Sequence, residues 1–110
     1  MVIAFPILPG KQEQARQFAQ EARARESELA RSFARMDVRR EEWFLQQTPQ
    51  GDMILVSFEA NDPQKALDGW ARSQDSFDLW FKEQACQISG LDFNNPLPAL
   101  PEQVFAWSAS

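Results

Sequence analysis

Glu26 is the residue whose placement most invites chemistry. Helical spacing sets it within an apolar stripe, four residues after Ala22, three before Leu29 and seven before Phe33, so its carboxylate shares the face that the helix buries. A carboxylate partly withdrawn from water keeps its proton to higher pH, which makes Glu26 a candidate proton acceptor or donor. The structural alternative is that Glu26 pairs with an arginine such as Arg39, Arg40 or Arg72, or lies where the helix overhangs into water. Gln47, Ser57 and Glu59 interrupt otherwise apolar strands, and polar groups inside a pocket must meet partners or a ligand. They are candidate ligand-binding positions, although a strand end such as Glu59 is commonly wet. Trp43 and Trp80 are candidates to wall a pocket for an aromatic ligand, against the plainer reading that tryptophans at core spacing are core. Asp78, three residues after Asp75, reads as a first-turn carboxylate that complements a helix dipole. Cys86 reads as a packing residue, since nothing cationic nearby in sequence would activate its thiol.

The chain of 110 residues contains no histidine and no tyrosine. Ser-His-Asp and Cys-His nucleophiles, His-ligated zinc and His-ligated haem are thereby excluded. One cysteine makes neither an internal disulfide nor a thiolate metal site, and no metal or bound cofactor is expected. Eleven basic against 16 acidic residues leave a net charge of -5, which opposes attraction to nucleic acid or anionic lipid. No run approaches the ~20 apolar residues of a membrane span, and the opening MVIAFPILPG lacks the basic flank of a secretory signal. The expectation is a cytoplasmic protein with no nucleic-acid or membrane partner.

The elements that must position these residues form one domain over 1–110. Val2–Leu8 is a short β-branched and aromatic run closed by Pro9-Gly10, a strand. Ala15, Phe18, Ala19, Ala22, Leu29, Phe33 and Met36 recur at helical steps and predict one long helix over Lys11–Met36. At ~1.5 Å per residue such a helix outruns the sheet, so one end must project or the helix must bend. Trp43–Thr48 and Met53–Glu59 read as strands joined by a hairpin loop at Pro49-Gln50-Gly51-Asp52. Asp62 caps a helix opened by Pro63, and the helical pattern restarts near Asp75 and ends at Gly90. Leu91–Glu102, with Pro96, Pro98 and Pro101, reads as an extended arm, and Gln103–Ser108 as the last strand. The order β-α-β-β-α-β predicts a ferredoxin-like α+β fold, with a four-stranded antiparallel sheet and the helices on one face. Strands one and three are apolar on both sides, with Val2 and Ala4 opposite Ile3 and Phe5, and Met53 and Leu55 opposite Ile54 and Val56. The second face must be covered, by a second copy of the chain or by the Pro-rich arm folded back.

Several segments carry a resemblance: Phe5-Pro6-Ile7-Leu8-Pro9-Gly10-Lys11, Arg40-Glu41 ahead of Trp43, Gln47-Thr48-Pro49-Gln50-Gly51-Asp52, Glu59, and Ser73 followed by Phe77-Asp78 and Trp80-Phe81. They resemble a family of small uncharacterised bacterial proteins similar to the dimeric α+β barrel superfamily, which includes antibiotic-biosynthesis-type monooxygenases, muconolactone isomerase and stress-responsive barrel proteins. The resemblance implies a dimeric α+β barrel and a hydrophobic small-molecule pocket between helices and sheet. It implies no assigned reaction, and two functional readings fit the sequence equally: a cofactor-free monooxygenase- or isomerase-like enzyme in the manner of superfamily relatives, and a non-catalytic dimeric binding or regulatory module. The haem-degrading branch depends on a histidine that this chain lacks. RNA binding through the same element order is disfavoured, because Asp52, Met53, Ile54 and Leu55 stand where stacking aromatics belong.

Overall fold

The computed structural model describes residues 1–95 and 100–109. In chain order the elements are β1 (Val2–Pro6), α1 (Gln12–Ala24), α2 (Glu26–Arg35), β2 (Val38–Thr48), β3 (Gly51–Ala60), α3 (Pro63–Arg72) and α4 (Ser76–Ser89). The strands make one antiparallel sheet in the order β1-β3-β2, and helices pack on its inner face around Ile7, Phe18, Phe77, Phe81 and Ile88.

The fold is therefore α+β with a three-stranded sheet and four helices, and this corrects the expected four-stranded ferredoxin-like sheet together with the dimeric α+β barrel built on it. Gln103–Ser108 forms no strand, and Val104, Phe105 and Trp107 stand 86%, 79% and 78% exposed. β-propensity expresses a fit to a pleated, half-buried surface, and this segment has no such surface beside it. The chain instead turns directly after α4. Gly90 takes a left-handed conformation at φ 78°, Asp92 Oδ1 accepts from Asn94 N–H at 2.9 Å, and Phe93 is buried against Phe5 and Trp70 at ring distances of 5.0 and 5.4 Å. Of the arm expected over Leu91–Glu102, residues 96–99 lie outside the described residues.

The helix predicted over Lys11–Met36 is broken in two at Arg25, whose φ of -101° and ψ of 40° are not helical. The break lets α1 pack on α4 while α2 packs on β2 and α4. Arg25 fixes the corner: its guanidinium lies 4.9 and 4.4 Å from the ring centres of Phe77 and Trp80 and donates to both carboxylate oxygens of Glu28. Other local signals are realised directly. Asp62 caps α3 by accepting from Lys65 N–H at 3.1 Å, with Pro63 in the first helical position. Thr48 pairs with Gly51 across a tight loop of Pro49 and Gln50, and the φ of 134° at Gly51 is one that L side chains rarely adopt.

β2 carries the irregularity that matters for the site. Val38 pairs with Ala60 and Arg40 with Glu59, so Arg39 is an extra residue on β2, a β-bulge. Beyond it the side-chain alternation changes phase. Glu41 opposite Phe58, Trp43 opposite Val56 and Leu45 opposite Ile54 face the helices, while Arg40, Glu42 and Phe44 face outward.

Candidate functional site

Between helices and sheet lies a cavity of about 110 Å³. Its walls include Phe5, Trp43, Val56 and Phe58 from the sheet, Phe33 from α2 and Met36 just after it, Trp70 from α3 and Phe81 from α4. The aromatic rings brace one another, with Trp43 and Trp70 each 5.6 Å from Phe81, and edge-to-face contacts of this kind fix ring positions. Among the described residues three polar side chains reach the lining: Ser32, Ser89 and Glu41. Ser32 donates to Asp78 Oδ1 at 2.5 Å. Ser89 donates to the Ala85 carbonyl at 2.7 Å and accepts from Leu91 N–H at 3.1 Å. Both hydroxyls are thus committed. Glu41 Oε2 accepts from Trp43 Nε1 at 2.8 Å, and Oε1 makes no hydrogen bond among the described residues. No basic side chain lines the cavity among those residues either. Burial without a cation pushes the Glu41 carboxyl up to about 7, against which the Trp43 hydrogen bond pulls down.

The residues singled out from sequence are scattered. Glu26 is exposed, at the start of α2, and makes no hydrogen bond or ion pair among the described residues; this corrects its candidate catalytic placement. The helix break resets the phase of the stripe, and the inward place at that corner goes to Arg25. Trp43 lines the cavity, as expected. Gln47 is exposed at the hairpin end of β2. Ser57 sits on the outer face, between Val2 and Glu42. Glu59 is exposed on that face and ion-paired with Arg40 at 3.2 Å. Trp80 packs beside Phe18 and Phe77 under Arg25, and does not line the cavity. Glu41 is not among the sequence candidates because the strand predicted there starts at Trp43. Extending the alternation back from Leu45 and Trp43 by one step reaches it.

A second polar centre lies beside the first. Asp78 is in the first turn of α4, as expected, but is also buried at 2% exposure. It accepts from Ser32 Oγ at 2.5 Å, Ser73 Oγ at 2.6 Å and Arg35 Nη2 at 3.0 Å, so one carboxylate ties α2, α4 and the α3–α4 loop. Burial alone would raise its pKa, but these three donors and the Arg35 charge outweigh it and hold the carboxyl below its ordinary value. Lys82, one helical turn on and 1% exposed, donates to the carbonyls of Ala71 at 3.0 Å and Ser73 at 2.9 Å, at the C-terminus of α3. Burial lowers its pKa, and the charges of Asp78 and Asp92 offset part of that. Every partner here is internal, which marks the centre as a clamp that holds α2 over the cavity.

Among the described residues no group of three or more His, Cys, Asp or Glu side chains is placed to hold a metal ion, and no helix is long and apolar enough to cross a membrane. No curated protein and no solved structure matches the chain. A family model does match, over residues 1–91, a span that holds all three strands, all four helices, Glu41 and Asp78. The chain therefore belongs to the family of unknown function DUF6176.

Proposed function

We propose that this protein binds a small, largely apolar molecule in the cavity between its helices and its sheet, and that Glu41 orients it. The observation that carries this reading is an uncommitted carboxylate oxygen, Glu41 Oε1, on the wall of a largely apolar cavity. Small-molecule sites commonly pair apolar walls with a few fixed polar groups. A dry cavity of about 150 Å³ accepts benzene, so about 110 Å³ suits a body of one ring or less. Titration with benzyl alcohol, followed by two-dimensional amide NMR, tests the reading. Saturable shifts centred on Glu41, Trp43 and Trp70 are expected, and weaker binding in Glu41→Leu. Shifts confined to the surface, or none, would refute it.

A second reading, an acid–base enzyme of the isomerase kind, draws on the Glu41 carboxyl's value of about 7, which suits both gain and loss of a proton near neutrality. Its signature is exchange of the α-protons of cyclopentanone into heavy water, accelerated by the protein and not by Glu41→Gln. Exchange at the buffer rate leaves binding alone.

The outer face of the sheet supports pairing with a second copy of the chain. Val2 and Phe44 are 53% and 51% exposed there, and Phe44, Leu55 and Ala4 lie side by side in register across the strands. An exposed apolar strip of this kind, bordered by Arg40, Glu42 and Glu59, can pack on its own copy about a twofold axis.

A further inference from the structure

We infer that the ligand of this cavity is a small primary amine of about one ring in size, held as its ammonium by Glu41. The inference rests on the binding reading above and narrows it. Four observations lead to it. The first is hydrogen-bonding capacity. Ser32 and Ser89 are committed, and Trp43 Nε1 already donates to Glu41. What is left is an acceptor on the ionised carboxylate, which calls for a donor on the ligand, beside the indole N–H of Trp70, which makes no hydrogen bond among the described residues. The second is charge: among the described residues the lining offers one acid and no base. A carboxylate or phosphate ligand would meet a like charge with nothing to offset it, whereas an ammonium supplies the missing counter-charge.

The third observation is the wall. Trp43, Trp70 and Phe81 line the cavity, and aromatic faces attract cations and repel anions. The fourth is that folding has already withdrawn the half-buried Glu41 carboxyl part of the way from water. Part of the desolvation that makes buried ion pairs barely favourable is therefore incurred before the ligand arrives. An alcohol of the same shape gains the hydrogen bond and leaves that buried charge uncompensated.

The pH dependence follows from the surroundings. Apart from Glu41, the cavity residues of β1, β2, β3, α1 and α3 are apolar, and α2 and α4 add Ser32 and Ser89 beside apolar residues, so Glu41 is the one titratable group described there. With its carboxyl at about 7, the ionised fraction falls on the order of a hundredfold from pH 8 to pH 5.

The experiment compares benzylamine, benzyl alcohol and benzoate by calorimetry and amide NMR at pH 5 and pH 8, on the wild-type protein and on Glu41→Gln. Because the net charge of -5 attracts any amine diffusely, the readout is the difference between the two proteins. The expected result at pH 8 is benzylamine binding at least about tenfold tighter than benzyl alcohol, with benzoate not binding. Benzylamine affinity should fall on the order of fiftyfold to a hundredfold at pH 5, while benzyl alcohol changes little. Glu41→Gln should abolish the preference for the amine and keep the binding of the alcohol. Benzyl alcohol binding with no preference for the amine, or an amine preference that survives Glu41→Gln, overturns this inference and leaves the cavity reading standing. Failure of all three probes to enter the cavity overturns both.

Discussion

Replacement of Glu41 by glutamine should change how the stability of this protein depends on pH, in a direction opposite to that of most carboxylates. The Glu41 carboxyl has an ordinary value of 4.5 and is pushed up to about 7 in the fold. Between those two values the folded protein keeps a proton that the unfolded chain has released, so the folded state binds more protons and stability falls as pH rises. At ~1.36 kcal/mol per pKa unit the loss over the whole window is about 3 kcal/mol, an order-of-magnitude figure for a half-buried side chain. Glutamine matches the size of the side chain and can still accept from Trp43 Nε1, but it does not titrate. Urea unfolding of both proteins from pH 4 to pH 8 isolates the effect, because every other group is common to the two. Asp78 does not intrude: its lowered pKa gives stability that is present above the ordinary 3.8 and lost as pH falls further, below this window. The unfolding free energy of Glu41→Gln minus that of the wild type should rise by about 3 kcal/mol between pH 4.5 and pH 8. A difference that stays flat across this range would show that the Glu41 carboxyl is solvated, and would remove the physical basis for its role in the cavity.

Three further outcomes are expected. Asp78→Ala leaves Ser32, Ser73 and Arg35 without their shared acceptor and should cost about 3 kcal/mol or more in urea unfolding; a loss under about 1 kcal/mol would mean the clamp contributes little. Asp37 holds a left-handed φ of 56° between α2 and β2, so Asp37→Gly should raise the melting temperature by relieving up to about 1 kcal/mol of backbone cost, and Asp37→Val should lower it. Sedimentation equilibrium of the wild type should give twice the chain mass, and Phe44→Glu, on the exposed outer face, should give a monomer with an unchanged circular dichroism spectrum. A wild type that remains monomeric at micromolar concentration would exclude pairing through that face.

Much of the fold was legible residue by residue where a local cause acts alone. The cap at Asp62 with Pro63 behind it, the Gly90 stop and the Pro49-Gln50-Gly51 hairpin are set by dihedral preferences and one or two hydrogen bonds within a few residues. The division of β1 and β3 into an inner face of Ile3, Phe5, Ile54, Val56 and Phe58 and an outer face of Val2, Ala4 and Leu55 follows from the period of two in any strand. The absence of histidine and the single cysteine exclude whole chemistries whatever the fold. Membership of a family over residues 1–91 is likewise a property of the sequence.

The site was decided elsewhere. Periodicity assigns a face only while the element stays regular, and both irregularities of this chain fall beside the residues that matter. The break at Arg25 turns Glu26 out of the stripe that made it a candidate, and the bulge at Arg39 interrupts the alternation just beyond Glu41, which itself keeps the phase of Trp43 and Leu45. Neither leaves a local signature, because a helix break and an extra strand residue persist only when the packing they permit outweighs the hydrogen bonds they disrupt. Gln103–Ser108 shows the same limit from the other side: its residues favour a strand, and it forms none because a strand needs a neighbour. Residue patterns carry the elements that a local cause sets, the faces of β1 and β3 and the chemistries that need histidine or paired cysteines; where the long helix breaks, whether the last segment pairs, and how Asp78 holds α2 over the cavity were decided by contacts between residues distant in the chain.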